Sequence, residues 1–205
     1  MELQEALQEL RKAEKRKFEQ SVDLIINLKD VDVKKENISV IVQLPHPTKE
    51  KKVCAFLNAK SKLVPTITQP EFARYKEKKE LKKLVKEYAF FIAAAKLMPA
   101  VATTFGKALG PMGKMPSPQL GVLLQEDDAA IEQLLARIQT AAKIRVKEPS
   151  VKVMVGKESM SDEQLAENIR AVYSGMVAAL PNKKENVRSV LVKLTMSVPV
   201  KVEVV

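Results

Sequence analysis

The stretch SVLVKLTMSVPVKVEVV, residues 189–205, carries an apolar side chain at every second position. Such a period-two row predicts a β-strand with one buried face. The same alternation occurs near the other end of the chain, in SVDLIINLKDVD at residues 21–32 and in NISVIVQL at residues 37–44. Because the two ends share this pattern, we expect them to form one largely antiparallel sheet. The C-terminal row comprises Val190, Val192, Leu194, Met196, Val198, Val200, Val202 and Val204.

The middle of the chain follows a different pattern. KKVCAFLNA at residues 51–59 and YAFFIAAA at residues 88–95 are short apolar runs, typical of strands buried on both faces. They alternate with helical patterns, and KIRVK at residues 143–147 follows as a last strand. Alternation of strands and helices predicts a Rossmann-like α/β unit with a mainly parallel sheet.

Together these patterns favour an α/β protein of two domains. Residues 1–47 and 150–205 are expected to form a discontinuous α+β domain with an antiparallel sheet. Residues 48–149 are expected to form an inserted Rossmann-like α/β domain. A single continuous α/β domain remains the alternative. Prolines restrict the backbone at both joints and predict a hinge there. The hinge prolines are Pro45, Pro47 and Pro149.

The charge of the chain favours a polyanionic partner. There are 35 Lys and Arg residues against 25 Asp and Glu, a formal net charge of +10. Residues 48–149 hold 19 basic and 10 acidic side chains and therefore most of the excess. Such a balance is typical of proteins that bind nucleic acid or an acidic membrane surface.

Residues suited to covalent or metal chemistry are few. The single cysteine, Cys54, excludes an intrachain disulfide and a cysteine-based zinc site, and its apolar surroundings predict a buried side chain. His46 is the only histidine, and no nearby motif supports catalysis. We therefore expect no metal, no cofactor and no enzymatic activity. The charged N-terminus and the absence of a long apolar run predict a cytoplasmic protein without a membrane partner.

A segment rich in glycine and proline, ALGPMGKMPSPQLG at residues 108–121, does not match a nucleotide-binding loop. A Walker-type loop needs a glycine where Ala108 stands and a Ser or Thr where Met115 stands, so both requirements fail. Exposed amides together with Lys107 and Lys114 would still allow secondary RNA contacts. Two alternatives remain open: a nucleotide-binding enzyme that uses the inserted α/β domain, and a basic adaptor without RNA specificity.

Five segments of the chain, in order, resemble a known family. They are KFEQSVDLIINL, VIVQLPHP, GKALGPMGKMPSPQLG, VGKESMSDEQLAENIRA and RSVLVKLTMS. The chain is similar over essentially its whole length to the large-subunit ribosomal protein of the L-one family, in an archaeal form. The resemblance implies binding to large-subunit rRNA at the mobile stalk near the tRNA exit site, participation in tRNA release, and repression of the protein's own mRNA. The implied partners are rRNA, the mRNA leader or coding region, exit-site tRNA and other ribosomal components.

The resemblance also implies which residues contact RNA. Carried over onto matching positions, they are Lys17, Phe18, Ser21, Gly156, Lys157, Ser189, Thr195, Met196 and Ser197. Lys193 joins them because, like Thr195 and Ser197, it alternates with the apolar row and faces the open side of the strand. A plain solvent-facing strand is the alternative. Ser197 departs from the glycine that is usual in the family. Met196 shares the parity of the buried row, so a bulge or twist near Pro199 would have to redirect it.

Overall fold

The alternating and the continuous apolar runs fold into separate sheets. The computed structural model describes residues 1–12, 16–32 and 38–204, apart from the side chains of residues 76 and 78. The helices and strands, in chain order, are α1 (Leu3–Arg11), β1 (Ser21–Leu28), β2 (Ser39–Gln43), β3 (Val53–Phe56), β4 (Thr66–Ile67), α2 (Lys78–Glu87), β5 (Phe90–Ala94), α3 (Met98–Leu109), β6 (Val122–Leu123), α4 (Asp128–Thr140), β7 (Ala141–Arg145), β8 (Ser150–Lys157), α5 (Asp162–Ala179), β9 (Val187–Leu194) and β10 (Val200–Val202).

Contacts between these elements divide the chain into two compact units. The first unit is Met1–Lys49 together with Thr140–Val205, and the second is Glu50–Gln139. The junction on the C-terminal side therefore lies about ten residues before the predicted joint at Pro149. Pro149 itself belongs to the first unit, where its carbonyl oxygen accepts a hydrogen bond from Leu28 N–H at 2.7 Å.

An antiparallel sheet organises the first unit, as the alternating pattern predicted. Its strand order is β10-β9-β1-β8. Every second residue of β1, from Val22 to Leu28, is buried. These side chains share one core with the apolar faces of α1 and α5, because an alternating strand can bury only one of its faces. The apolar spacing and the Ser161–Gln164 capping box predict α5, and both halves of that box are formed.

The C-terminal apolar row is a hairpin and not one continuous strand. β9 ends at Leu194, a turn follows, and β10 pairs antiparallel with β9 so that Val200 lies opposite Val192. β9 buries Val190, Val192 and Leu194, while β10 buries Val202 and half-buries Val200, so the apolar row keeps its parity across the turn. Met196 and Val198 fall in the turn and are 61% and 80% exposed, which corrects the expectation that they are buried. The turn, and not a bulge near Pro199, redirects Met196.

The segment KIRVK belongs to the first unit, which corrects its assignment to the parallel sheet. β7 pairs antiparallel with β2 in a separate two-stranded sheet, with Ser39 opposite Arg145. Ile144 and Val146 enter the core of the first unit. The basic side chains of this segment therefore belong to the first unit. The second unit, Glu50–Gln139, carries 15 basic and 9 acidic residues.

The second unit contains the predicted parallel sheet. Its strand order is β4-β3-β5-β6, with all pairs parallel. β3 is buried along its entire length, as expected for a strand covered on both faces. Phe56 stacks on Phe91 at a centroid distance of 5.7 Å and contacts Phe105 at 4.7 Å. These rings form the centre of the second core.

The glycine-proline segment closes the parallel sheet at β6. Gly121 has a φ of +129°, and a Cβ there would lie 2.9 Å from the carbonyl oxygen of Phe91. Its own carbonyl oxygen accepts a hydrogen bond from Ala93 N–H at 2.7 Å. Gly113 has a φ of +69° but open space around it. Gly121 is therefore required both by its backbone conformation and by the lack of space for a side chain, whereas Gly113 is favoured by its conformation alone.

We expect Gly121→Ala to lower the free energy of unfolding of the second unit by about 2–4 kcal/mol, because it adds backbone strain and a backbone clash. Gly113→Ala is the matched control and is expected to cost about 1 kcal/mol through strain alone. Urea denaturation followed by circular dichroism measures both. Equal effects of the two substitutions would show that the contact with Phe91 is unimportant.

Candidate RNA interface

The turn between β9 and β10 presents three of the predicted RNA-contact residues, Thr195, Met196 and Ser197. Ser197 N–H donates to the carbonyl oxygen of Leu194 at 3.2 Å, which closes the turn. The Ser197 hydroxyl oxygen in turn accepts a hydrogen bond from Leu194 N–H at 2.8 Å. Ser197, where the resemblance implies a glycine, thus directs its hydroxyl into the hairpin. We call residues 195–197 the hairpin tip.

The hairpin tip is joined to the beginning of β1. Ser21 N–H donates to the Thr195 hydroxyl oxygen at 3.0 Å, and the two hydroxyl oxygens are also 3.0 Å apart. Thr195 N–H donates to the carbonyl oxygen of Ser21 at 3.1 Å. Two residues that are 174 positions apart therefore present adjacent hydroxyl groups. Phe18, in the segment leading to Ser21, is 52% exposed, and Lys17 beside it is also exposed.

Buried Gln20 holds the backbone of the hairpin tip in place. The sequence patterns did not predict this role. The Gln20 side chain is 2% exposed, and its Oε1 accepts a hydrogen bond from Met196 N–H at 3.1 Å. Its carbonyl oxygen accepts from Glu158 N–H at 2.9 Å. A lone glutamine before a strand carries no recognisable signal, because these partners are far away in the sequence.

Lys157 reaches the same region from β8, where it lies opposite Ser21. Its Nζ is 2.6 Å from a carboxylate oxygen of Glu19, and Ser159 donates a hydrogen bond to the other oxygen. The hydrogen bond from Lys157 lowers the pKa of Glu19, with a further contribution from Ser159. In the free protein, the charge of Lys157 is therefore offset by Glu19.

Gly156 is buried at an irregularity in the β1–β8 pairing. A Cβ at this position would lie 2.3 Å from Cδ2 of Leu165 and 3.0 Å from Sδ of Met160. Glycine thus lets the start of α5 pack closely on the sheet. Any contact of Gly156 with RNA would involve its backbone.

Ser189 and Lys193 lie apart from the hairpin tip on the open face of the sheet. Ser189 is opposite Asn27, whose Nδ2 donates to the Ser189 hydroxyl oxygen at 3.0 Å. Six residues of extended strand, roughly 20 Å, separate Ser189 from Thr195. Half-buried Lys193 is opposite Asp23, between these two positions. The structure therefore brings most of the predicted residues together at one end of the sheet, with Ser189 at the other.

The two predicted secondary contacts differ in their surroundings. Lys107 is exposed on α3. Lys114 Nζ instead donates to the carbonyl oxygens of Val85 and Tyr88, at 2.6 and 2.8 Å, near the end of α2. Burial lowers the pKa of Lys114. Its ammonium group satisfies helix-end carbonyls, which is a structural role.

We expect Lys114→Met to destabilise the second unit by about 1–2 kcal/mol, because two carbonyl groups lose a charged donor. Lys107→Met is the control and is expected to change stability by less than about 0.5 kcal/mol. Thermal unfolding of both variants tests this difference. A Lys114→Met protein as stable as the wild type would contradict the helix-end role.

The segment between Pro45 and Pro47 is fixed to α5 by a fully buried asparagine, Asn168. Its Oδ1 accepts a hydrogen bond from His46 N–H at 3.0 Å. Its Nδ2 donates to the carbonyl oxygens of His46 and Val155, at 3.0 and 2.8 Å. Asn168 lies three residues after Leu165 and therefore on the apolar stripe of α5. That position in the sequence already indicates a buried side chain.

The described parts of the chain offer little for other chemistry. They contain no group of three or more His, Cys, Asp or Glu side chains that could hold a metal ion. Burial raises the pKa of Cys54 to about 12, so its thiol stays protonated and unreactive. Within the same residues, no helix has the length and apolar character required to cross a membrane.

Known proteins resemble this chain over almost its whole length. The model of the Ribosomal protein L1p/L10e family matches residues 10–198. The "Large ribosomal subunit protein uL1" of Thermofilum pendens is 38% identical, with 98% of this chain and 92% of the relative covered. The protein of that name from Pyrococcus horikoshii is 38% identical over 97% of this chain and 94% of the relative. The one from Methanothermobacter thermautotrophicus is 37% identical over 97% and 99%.

These matches agree with the family and the archaeal character expected from the sequence motifs. The relatives are named as ribosomal proteins and not as enzymes. The chain belongs to the Ribosomal protein L1p/L10e family.

Proposed function

We propose that this chain is a structural protein of the large ribosomal subunit, in the cytoplasm, and that it binds large-subunit rRNA through the first unit. The names of its relatives support the assignment to the subunit. The observation that carries the RNA site is the pair of adjacent hydroxyl groups on Ser21 and Thr195, flanked by exposed Phe18 and Met196. Hydroxyl groups can bond to ribose and phosphate oxygens, while an aromatic ring can stack on an unpaired base.

Recognition by this surface is rigid, because the structure holds the hairpin tip in place before RNA arrives. Ser21 fixes Thr195, Gln20 fixes the backbone of Met196, and the Ser197 hydroxyl closes the turn. A preformed surface binds more tightly because less conformational entropy is lost on binding. Lys17 and Lys157 add positive charge at its margin, and Lys157 exchanges Glu19 for an RNA phosphate on binding.

Titration of the protein with an rRNA fragment that carries the cognate site tests this proposal. We expect tight, saturable binding to the cognate fragment and binding at least 10³-fold weaker to a scrambled one, within the range of specific recognition. Affinities that are equal for both RNAs and fall together as salt rises would favour a basic adaptor without specificity. Saturable micromolar binding of ATP or NAD would favour the nucleotide-binding alternative.

We further propose that the protein belongs to the mobile stalk near the tRNA exit site and takes part in tRNA release. Movement of the inserted unit relative to the first is the proposed mechanism. Because His46 is fixed to α5, the pivot on the N-terminal side lies after Pro47, and on the C-terminal side it lies near Gln139. Exit-site tRNA dissociation from ribosomes with and without this protein tests the role. Identical rates would contradict it.

Repression of the protein's own mRNA is the last part of the proposal. A site in the leader or coding region that resembles the rRNA site would compete for the same hairpin tip. Translation of a reporter that carries this region is expected to fall when the protein is added and to recover with excess rRNA fragment. Repression that persists with a Thr195→Ala variant would exclude a shared site.

A further inference from the structure

A row of basic side chains occupies the edge of the first unit, away from the hairpin tip. Lys143 and Arg145 of β7 alternate with buried Ile144, Lys147 follows buried Val146 just after the strand, and all three basic residues line one groove. Residues two positions apart on a strand are roughly 7 Å from each other, which is the spacing of Lys143 and Arg145. The sequence patterns instead predict that these three residues belong to the inserted domain.

A fourth cation completes the cluster. Exposed Lys152 of β8 lines the same groove, which has a volume of about 350 Å³. Glu148 is the one acidic side chain in the lining. No ion pair joins any of the four cations to an acidic side chain among residues 1–12, 16–32 and 38–204. Burial lowers the pKa of Lys143, and the charge of Arg145 lowers it further. The cations thus repel each other, and Glu148 is the one acidic side chain in the lining that offsets their charge.

This basic groove continues into the surface that carries Ser189. A second groove, of about 550 Å³, is lined by Asn27, Ser150, Arg188 and Ser189, and it shares Ser150 and Glu148 with the first. Ser189 is one of the residues predicted to contact RNA. An RNA strand that leaves the open face of the sheet at Ser189 would therefore meet the basic row directly.

We propose that Lys143, Arg145, Lys147 and Lys152 form a second RNA-contact surface that binds phosphates of the rRNA backbone. This inference rests on the proposed rRNA function and adds a role for residues outside the predicted site. The hairpin tip supplies hydroxyl and stacking contacts, which discriminate between RNAs. The basic row supplies charge, which attracts every RNA to a similar degree and orients the strand.

The salt dependence of rRNA-fragment binding distinguishes the two surfaces. In the triple variant Lys143→Gln, Arg145→Gln, Lys147→Gln, we expect affinity to fall about 10-fold or more. The slope of log K against log salt is expected to become shallower by about 2, at roughly 0.7–0.9 for each lost phosphate contact. Discrimination against the scrambled fragment is expected to stay unchanged. The double variant Arg145→Gln, Lys147→Gln keeps half-buried Lys143 and provides the measurement if the triple variant does not fold.

A variant matched in charge controls for the loss of net charge. Lys79, Lys82 and Lys86 are exposed on α2 in the second unit. Their replacement by glutamine removes the same number of charges, and we expect it to change the slope by less than about 0.5, because these lysines are not part of the proposed contact surface. An unchanged slope in the basic-row variants, or an equal change in the control, would overturn the second surface alone. Absence of specific binding by the wild type would overturn the proposed function and this inference together.

Discussion

Thr195→Ala is expected to weaken binding of the cognate rRNA fragment by roughly 10- to 100-fold, equivalent to about 1.4–2.8 kcal/mol. The substitution removes a hydroxyl group that is proposed to contact RNA. It also leaves Ser21 N–H without its acceptor and releases one of the bonds that hold the hairpin tip. Loss of a hydrogen bond together with loss of a preformed geometry accounts for an effect of this size. Fluorescence titration with labelled fragment measures it.

Thr195→Ser is the matched control, because it keeps the hydroxyl group and removes only a methyl group. We expect its affinity to remain within about threefold of the wild type, a difference of less than about 0.7 kcal/mol. Phe18→Ala tests the other side of the surface and is expected to cost about 1–3 kcal/mol if the ring stacks on a base. Unchanged affinity in both Thr195→Ala and Phe18→Ala would refute the assignment of the site to the hairpin tip.

The largest effect on stability is expected from Asn168→Leu. Leucine has a similar size but can neither accept the hydrogen bond from His46 N–H nor donate to the carbonyl oxygens of His46 and Val155. Each buried polar group without a partner costs about 1–3 kcal/mol, so we expect the free energy of unfolding to fall by about 3–5 kcal/mol. Chemical denaturation of the full chain, followed by circular dichroism, gives this value.

Glu167→Gln provides the comparison on the same helix. Glu167 contacts His46 Nε2 at 2.7 Å, but this carboxylate side chain is 57% exposed. Exposed ion pairs contribute little, so we expect a change of less than about 1 kcal/mol. If Asn168→Leu were as mild as Glu167→Gln, the segment between Pro45 and Pro47 would not depend on its buried hydrogen bonds.

The sequence was most informative where local patterning alone determines structure. The alternation of Val22, Leu24, Ile26 and Leu28 predicted β1, and the apolar run around Cys54 predicted a fully buried strand. Both patterns depend on which faces of a strand contact the core, and that requirement acts on every residue of the strand. The antiparallel and parallel sheets were therefore predicted correctly as classes.

Features that depend on distant partners could not be predicted in the same way. The turn at Met196 was missed because the apolar residues that face the core are even-numbered in both strands of the hairpin, as they would be in a single strand. β7 was assigned to the wrong sheet because the pattern of KIRVK does not reveal that its partner is β2. Gln20 was missed because its acceptor role depends on Met196, 176 residues later.

The pairing of Ser21 with Thr195 also has a consequence for biosynthesis. Thr195 is synthesised 174 residues after Ser21, so a nascent chain lacks the second half of this surface until the whole of the inserted unit has been made. The second unit, Glu50–Gln139, is by contrast fully synthesised well before that stage. Because domains fold as units in the order of their synthesis, the inserted unit acquires its structure first. The surface proposed to bind RNA is therefore assembled only after the inserted unit has been synthesised.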